Sequence, residues 1–333
     1  MNDAKFKAFF VEQDGENFKR SIISKQISDL PEGDITINVK YSSLNYKDAL
    51  SSIGNKGVTR NYPHTPGIDA AGIVVESNDN NIKEGDKVLV TGYDLGMNTD
   101  GGFEEYIRVP SKWVVKLPEN LSLKESMIYG TAGFTAAISV YKLMKLGRVK
   151  PEDGEILVTG ATGGVGSTAI KILSKLGYDV IGATGKKEEK NMIVNMGAKD
   201  IINRHEFEDE SGKPILKSRW AGVIDTTGGN ILSTAIKTTN YGGSVTTCGN
   251  VAGHKFDASV YPFILRGVSL LGVDSVNVDN ELRNILWSLL SNDWKIDTLH
   301  DNINEIGLSN LNDEIHKMLN GSHKGRTIVN LEI

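Results

Sequence analysis

The apolar run Ile156-Leu157-Val158-Thr159 enters Gly160-Ala161-Thr162-Gly163-Gly164-Val165-Gly166-Ser167, and no other part of the chain constrains the fold as tightly. A buried strand must pass through a glycine turn into the helix Ser167-Thr168-Ala169-Ile170-Lys171-Ile172-Leu173. Glycines let the backbone bend sharply and approach a pyrophosphate. The free N–H groups at the helix start then receive its charge. Glycine turns also join strands to helices for packing alone; the strand before and the helix after are what favour a dinucleotide site here.

A second apolar strand, Tyr178-Asp179-Val180-Ile181-Gly182-Ala183, ends in Thr184-Gly185-Lys186-Lys187, at roughly the twenty-residue offset where an NAD-binding unit places Asp or Glu on the ribose hydroxyl. A carboxylate at that point repels a 2′-phosphate, whereas a hydroxyl and ammonium groups attract it. Lys186 and Lys187 could instead be solvated residues opening the next helix. Cations there oppose the helix dipole unless an anion lies between them. The pattern therefore favours NADPH over NADH.

Up to about Pro118 the chain is rich in short strand-like runs, among them 34–41, 71–76, 86–91 and 106–109, separated by Gly, Asn and Asp. Such alternation predicts an antiparallel, barrel-like region. A helix is expected over Thr131 to Leu146, and strand–helix units then repeat from Glu155 to about Gly272, as a doubly wound parallel sheet requires. Later strands are expected at 221–225, 243–247 and 269–273, helices at 281–290 and 308–319, and a last strand at 326–331. The nucleotide-binding sheet thus looks inserted between a β-rich segment and its C-terminal return. Ligand crevices favour such domain junctions.

Thirty-seven Lys and Arg against 42 Asp and Glu give a net charge of −5, which argues against nucleic-acid or anionic-membrane binding. No apolar stretch is long enough to span a bilayer, and Met1–Lys7 lacks the apolar core of a signal peptide, so a cytoplasmic protein is expected. The single cysteine, Cys248, excludes an internal disulfide and any multi-cysteine zinc site, and reads as a small buried residue at a strand end. His64, His205, His254, His300, His316 and His323 are scattered and form no metal-binding pair.

Several longer segments occur in a fixed order: Ser42-Ser43-Leu44-Asn45-Tyr46-Lys47-Asp48-Ala49-Leu50, Pro66-Gly67-Ile68-Asp69-Ala70-Ala71-Gly72, Gly130-Thr131-Ala132-Gly133-Phe134-Thr135-Ala136, the run 159–169, Pro262-Phe263-Ile264-Leu265-Arg266-Gly267, Gly272-Val273-Asp274-Ser275-Val276 and Gly325-Arg326-Thr327. Through them the whole chain resembles the zinc-independent medium-chain dehydrogenase/reductases. More narrowly it resembles the YhdH/YhfP quinone oxidoreductase group, which includes NADPH-dependent acryloyl-CoA reductases. The resemblance implies an α/β fold, a Rossmann-type doubly wound domain (126–272) inserted in a β-rich GroES-like catalytic domain (1–125, with the return at 273–333). A homodimer is implied as well.

It also implies site residues. Tyr46 would lie at the nicotinamide end, with Thr162, Gly163, Gly164 and Val165 on the pyrophosphate. Thr184, Gly185, Lys186 and Arg204 would take the 2′-phosphate. Asn250, Ile264 and Ser275 would line the nicotinamide and ribose side, and Ser322 and Arg326 would lie near the cofactor. The group often has Ser-Gly-Arg where this chain has Thr184-Gly185-Lys186. The charge survives, but the bidentate fork of arginine is lost. Taken singly, Arg204 could be a surface arginine, Tyr46 a half-buried core tyrosine and Arg326 the partner of a surface carboxylate. Asp225 is expected to cap the next helix rather than touch cofactor.

Zinc-dependent relatives carry Gly-His-Glu after the position of Pro66, whereas Gly67-Ile68-Asp69 puts an apolar side chain at the ligand position, so no zinc is expected. Without a metal to polarise a carbonyl, hydride must go to an acceptor that is already electrophilic. An acryloyl-CoA-like thioester, another α,β-unsaturated carbonyl or a quinone fits; a simple alcohol does not. Tyr46 and Asn45 are the candidate donors to the developing enolate oxygen. Lys47, Lys56 and Arg60 could meet the phosphates of a CoA ester or be merely a solvated face. The alternatives are NADPH:quinone reduction and, from another class, an NADPH-binding protein that has lost catalysis.

Overall fold

Alternation of charged and apolar residues from Lys5 to Val11 builds an N-terminal hairpin, β1 (Lys5–Asp14) and β2 (Asn17–Gln26), in the computed structural model, which describes residues 4–185, 187–301 and 303–333. Phe6, Ala8, Phe9 and Val11 point inward, and Lys25 reaches Asp100 at 2.7 Å and Glu104 at 2.8 Å. The sequence patterning above did not single out this hairpin. There follow β3 (Ile35–Ser43), α1 (Tyr46–Ser51), β4 (Asp69–Ser77), β5 (Lys87–Thr91), β6 (Tyr106–Val109), β7 (Val115–Lys116) and α2 (Leu123–Lys145). Next come β8 (Ile156–Thr159), α3 (Gly164–Lys175), β9 (Val180–Thr184), α4 (Lys190–Asn195), β10 (Asp200–Asn203), α5 (Arg204–Phe207), β11 (Trp220–Asp225), α6 (Gly229–Thr238), β12 (Thr239–Thr247), α7 (Tyr261–Arg266) and β13 (Ser269–Gly272). The chain finishes with α8 (Asn280–Ser291), β14 (Ile303–Ile306), α9 (Leu311–Leu319) and β15 (Arg326–Asn330).

Two contact units result. The catalytic unit comprises the chain up to Thr131, Val276–Ser291 and Leu299–Ile333. Its main sheet runs β14-β15-β3-β4-β5-β7, with β6 also paired to β3. The pairs from β15 to β7 are antiparallel, as alternation predicts, whereas β14 and β15 are parallel. Ile35, Ile37 and Val39 of β3 pack with Val74, Val88, Val90, Leu311, Ile315 and Val329 in its core.

The nucleotide unit comprises Ala132–Ser275 and Asn292–Thr298. Its sheet is parallel, in the order β10-β9-β8-β11-β12-β13. Helices on the faces of a parallel sheet bury the strands on both sides, and β8, β9 and β11 are accordingly buried along their whole length. Strand order reverses between β8 and β11, so the crevice at their carboxyl ends is the topological switch point where such sheets bind ligands. Between α5 and β11, residues 208–219 form no helix.

The resemblance implies domain crossings after residues 125 and 272, and the contact units cross at Thr131/Ala132, Ser275/Val276, Ser291/Asn292 and Thr298/Leu299. Gly130 explains the first difference. Its φ of 49° breaks α2, so Leu123–Tyr129 and the residues after Thr131 are separate helical pieces in one run. The short return 292–298 buries Trp294 and Ile296, and Lys171 and Lys175 of α3 donate to the carbonyls of Thr298 (2.9 Å) and Lys295 (2.6 Å). No helix among the described residues is long and apolar enough to cross a membrane.

Candidate active site

In the nucleotide unit the site begins at the turn after β8. Gly160 has φ 60°, and a Cβ there would lie 2.2 Å from Thr226 Oγ1. Gly166 performs the close-packing role, since a Cβ would lie 2.3 Å from the Gly160 carbonyl oxygen. The N-cap of α3 is Gly163, which offers no side chain to the first N–H groups, and no acidic residue stands in the first turn. The N–H groups of Gly164, Val165 and Gly166 are therefore left for an anion.

Beside this turn a cavity of about 160 Å³ is lined by Thr159, Gly160, Thr162, Ala183, Thr184, Gly185, Arg204, Thr227 and Ile231. It gathers Thr162, Thr184, Gly185 and Arg204 in one place. Gly185 is needed by Arg204, whose Nε would lie 2.8 Å from a Cβ. Lys186 lies outside the described residues. Asn250, exposed after β12, Ile264, 69% exposed on α7, and Ser275 at the end of the unit are not on the walls of this cavity. A larger groove of about 570 Å³, beside residues 208–219, includes Ile202, Phe207, Lys217 and Trp220 but none of the expected residues; the smaller cavity lies at the switch point and is the better candidate.

The floor of the crevice is built by Asp225, fully buried at the end of β11. Its carboxylate accepts from the hydroxyls of Thr159 (2.8 Å), Thr227 (3.0 Å) and Thr247 (3.1 Å) and from the N–H of Gly228 (3.0 Å), the N-cap of α6. It joins three strand ends to a helix start, the capping role expected of it. Cys248 lies next to this floor, 3.5 Å from the Asp225 carbonyl oxygen, and burial pushes its thiol up to about 12. It is unreactive at neutral pH.

In the catalytic unit, Asn45 and Tyr46 open α1 rather than end a strand. Around them lies a buried network centred on Asp69, which is fully buried. The Asp69 carboxylate accepts from Ser43 Oγ (2.5 Å), Asn45 Nδ2 (2.8 Å), the Thr131 N–H (2.9 Å), Thr131 Oγ1 (2.6 Å) and Arg326 Nη2 (3.5 Å). Arg326 also donates to the carbonyls of Ile128 (3.1 Å) and Leu44 (2.9 Å), to Asn45 Oδ1 (3.0 Å) and to Ser43 Oγ (2.6 Å). So its partner is a buried carboxylate, not a surface one, and its donors are spent inside the unit. The two amide hydrogens of Asn45 go to Asp69 and to the Ser43 carbonyl (3.2 Å), which leaves none for a substrate. Tyr46 is 49% exposed. Ser322 bonds locally to Asn320 Oδ1 (2.6 Å) in the turn after α9.

Sequence reasoning passed over Asp69, Asp48 and Thr131 as functional positions. The available signal was a lone acid opening the apolar strand Asp69-Ala70-Ala71-Gly72-Ile73-Val74-Val75. Asp48 accepts from the N–H groups of Asn45 (2.8 Å) and Ile68 (2.9 Å), tying the start of α1 to the segment before β4. Burial, and then the nearby Asp69 charge, push its carboxyl up to about 7.

Comparison with known proteins agrees with this geometry. The alcohol dehydrogenase GroES-like domain family matches residues 31–119, and the zinc-binding dehydrogenase family matches residues 164–292. The putative quinone oxidoreductase YhfP of Bacillus subtilis is 44% identical over 98% of this chain and 99% of its own. A solved structure of B. subtilis yhfP with NAD bound has a TM-score of 0.96, at 43% identity, covering 99% of this chain and 100% of that one. The probable acrylyl-CoA reductase AcuI of Escherichia coli is 42% identical over 97% of this chain and 99% of its own. The yhdH oxidoreductase of Salmonella enterica, solved with NADP, has a TM-score of 0.95 at 41% identity, covering 98% of this chain and 99% of that one. The chain therefore belongs to the medium-chain dehydrogenase/reductases, oxidoreductases that use a nicotinamide cofactor. Within that class it is a member of the YhdH/YhfP quinone oxidoreductase group.

Asp48 makes the catalytic unit sensitive to pH. Its unfolded carboxyl ionises near 3.8, well below the folded value of about 7. Between about pH 4 and pH 7 the folded chain keeps a proton that the unfolded chain has lost, so rising pH lowers stability across that window and no further above it. In Asp48→Asn this slope is absent. Urea midpoints at about pH 4.5 and about pH 8 should shift in the variant's favour at the higher pH. An equal difference at both would contradict the raised pKa.

Proposed function

We propose that the chain is an NADPH-dependent oxidoreductase that reduces an activated carbon–carbon double bond, of the acryloyl-CoA kind, without zinc. The observation that carries the cofactor reading is the cavity joining Thr162, Thr184, Gly185 and Arg204, whose walls hold no carboxylate. A hydroxyl and a guanidinium there suit a 2′-phosphate. The Salmonella relative solved with NADP supports this, while B. subtilis yhfP holds NAD, so the preference rests on the cavity itself. Gly163, Gly164 and Val165 would hold the pyrophosphate through backbone N–H groups, and Lys186 would add charge at the 2′-phosphate. Asn250, Ile264 and Ser275 are proposed for the nicotinamide and ribose side.

Metal independence is supported by the donor set. Ile68, 4% exposed, stands at the ligand position, and no group of three or more His, Cys, Asp or Glu among the described residues could hold a metal. A nicotinamide cofactor held there would supply hydride for the β-carbon of the alkene, and negative charge would then develop on the carbonyl oxygen. Tyr46, exposed at the first turn of α1, offers its hydroxyl to that oxygen. Asn45 holds the turn through Asp69 and Arg326, a positioning role. A proton from Tyr46 or water at the α-carbon completes the reduction. The AcuI relative supports the thioester; the YhfP relative favours a quinone as the second reading.

The homodimer is supported by β13, which ends its sheet with one edge unpaired among the described residues, and by the nearby exposed residues Val260, Ile264 and Leu265. Sedimentation at micromolar protein should read two chain masses, and a single mass would remove this assignment. Arg204→Ala should weaken NADPH about ten- to 150-fold, the loss of one charge-assisted hydrogen bond, with NADH unchanged. Equal weakening of both in calorimetry would refute a 2′-phosphate role. Acryloyl-CoA should be turned over with NADPH at a higher kcat/KM than a simple quinone. A large excess for the quinone would replace the first reading with the second.

A further inference from the structure

Within the catalytic unit, a groove of about 510 Å³ is walled by Tyr93, Met97, Lys112, Trp113 and Val276 together with two polar neighbours. Tyr93 adopts φ 53°, the left-handed region that a bulky aromatic side chain occupies only at a cost. Several contacts hold it there. Its N–H donates to the Val276 carbonyl (3.2 Å) and its hydroxyl to Asn280 Oδ1 (2.9 Å). The guanidinium of Arg283, fully buried and bonded to the Thr91 carbonyl (2.8 Å) and hydroxyl (3.0 Å), lies 4.6 Å from the ring centroid. The outcome of this strain is a half-buried tyrosine whose ring lies parallel to that of Trp113, 5.5 Å between centroids and 3° between planes. Trp113 also packs against the core of the unit, and both residues stay partly exposed.

The shelf lies close to the reacting end of the unit. Tyr93 follows Gly92, whose N–H donates to the carbonyl of Ile68 (3.3 Å), the residue at the vacated metal-ligand position. One cation flanks it. Lys112 lines the groove and is exposed, with no ion pair among the described residues. Arg60 is joined to the Asp94–Thr99 turn by a bond from its N–H to Asn98 Oδ1 (3.2 Å). The one carboxylate on the walls, Asp94, is occupied by Asn98 Nδ2 and Thr99 Oγ1, both at 3.1 Å. A partly exposed aromatic pair beside an unpaired lysine is complementary to a nucleotide: the base stacks, and a phosphate meets the lysine. A quinone has the plane but not the anion.

We infer that the Tyr93–Trp113 shelf, with Lys112, holds the adenine nucleotide end of a CoA thioester whose acyl end is reduced. The inference rests on the thioester reading proposed above. Its test compares acryloyl-CoA with acryloyl-N-acetylcysteamine, which keeps the thioester and lacks the nucleotide, using the intact enzyme and NADPH. Stacking on one aromatic ring is worth about five- to 150-fold in affinity, so Trp113→Ala should raise KM for acryloyl-CoA by at least about five-fold. KM for the truncated ester should stay the same, and Trp113→Phe should restore most of the loss. Lys112→Ala, at an exposed position, should raise only the CoA ester's KM, and it carries the test if Trp113→Ala fails to fold. Equal KM changes for both esters, or none for either, overturn the shelf while leaving thioester reduction intact. Wild-type enzyme that reduces a quinone but neither ester overturns the thioester reading and the shelf with it.

Discussion

A single buried carboxylate organises the catalytic unit. Asp69 sits without solvent exposure, and an unpaired charge there would be costly enough to unfold the region. Its compensation comes from five donors spread along the whole chain: Ser43 and Asn45 at the start of α1, both donors of Thr131 at the kink of α2, and Arg326 on the last strand. The constraint extends to the backbone. Gly130 has to be glycine because a Cβ would lie 2.2 Å from Arg326 Nη2 and 2.5 Å from Asp69 Oδ2. The start of α1, where Tyr46 stands, is thereby held by groups bonded to one another inside the unit.

The nucleotide unit solves a similar problem with the same device. Asp225, at the end of an apolar strand, draws the hydroxyls of Thr159, Thr227 and Thr247 together and satisfies the start of α6. In both units buried acids thus hold the ends of elements in place, Asp69 with Asp48 in one and Asp225 in the other. The groups proposed to meet the ligand, Tyr46 in one unit and Thr162, Gly185 and Arg204 in the other, lie on the surface or on cavity walls. In this way rigidity and availability are separated by residue.

How much of this was legible in the sequence follows from the range of the interactions. The wound sheet was readable because strands buried on both faces are continuous apolar runs, and because the glycine turn after Thr159 has a local steric reason for each of its positions. Thr162, Thr184, Gly185 and Arg204 meet around one cavity since they all end neighbouring strands. The Asp69 network was not readable, because its members have no periodic relation; Arg326 and Ser43 are 283 residues apart. The resemblance therefore placed Arg326 and Asn45 beside the ligand, whereas their hydrogen-bonding capacity is used within the fold. The N-terminal hairpin carried a strand signal of its own, the alternation Lys5-Phe6-Lys7-Ala8, which the sequence patterning passed over. Short α1, with six residues, carries too little periodicity to be separated from the strand before it.

The seven residues Asn292–Thr298 return to the nucleotide unit long after its last strand, burying Trp294 and Ile296 and receiving two lysines from α3. As the chain emerges from the ribosome, the wound sheet can assemble its strands early, but one flank of α3 stays uncovered until residues 292–298 have been made. Neither unit is therefore a cassette that could be excised and expressed alone: a cut between Ser275 and Val276 would strip that helix of its cover and also take α8 and the last two strands from the rest of the other unit.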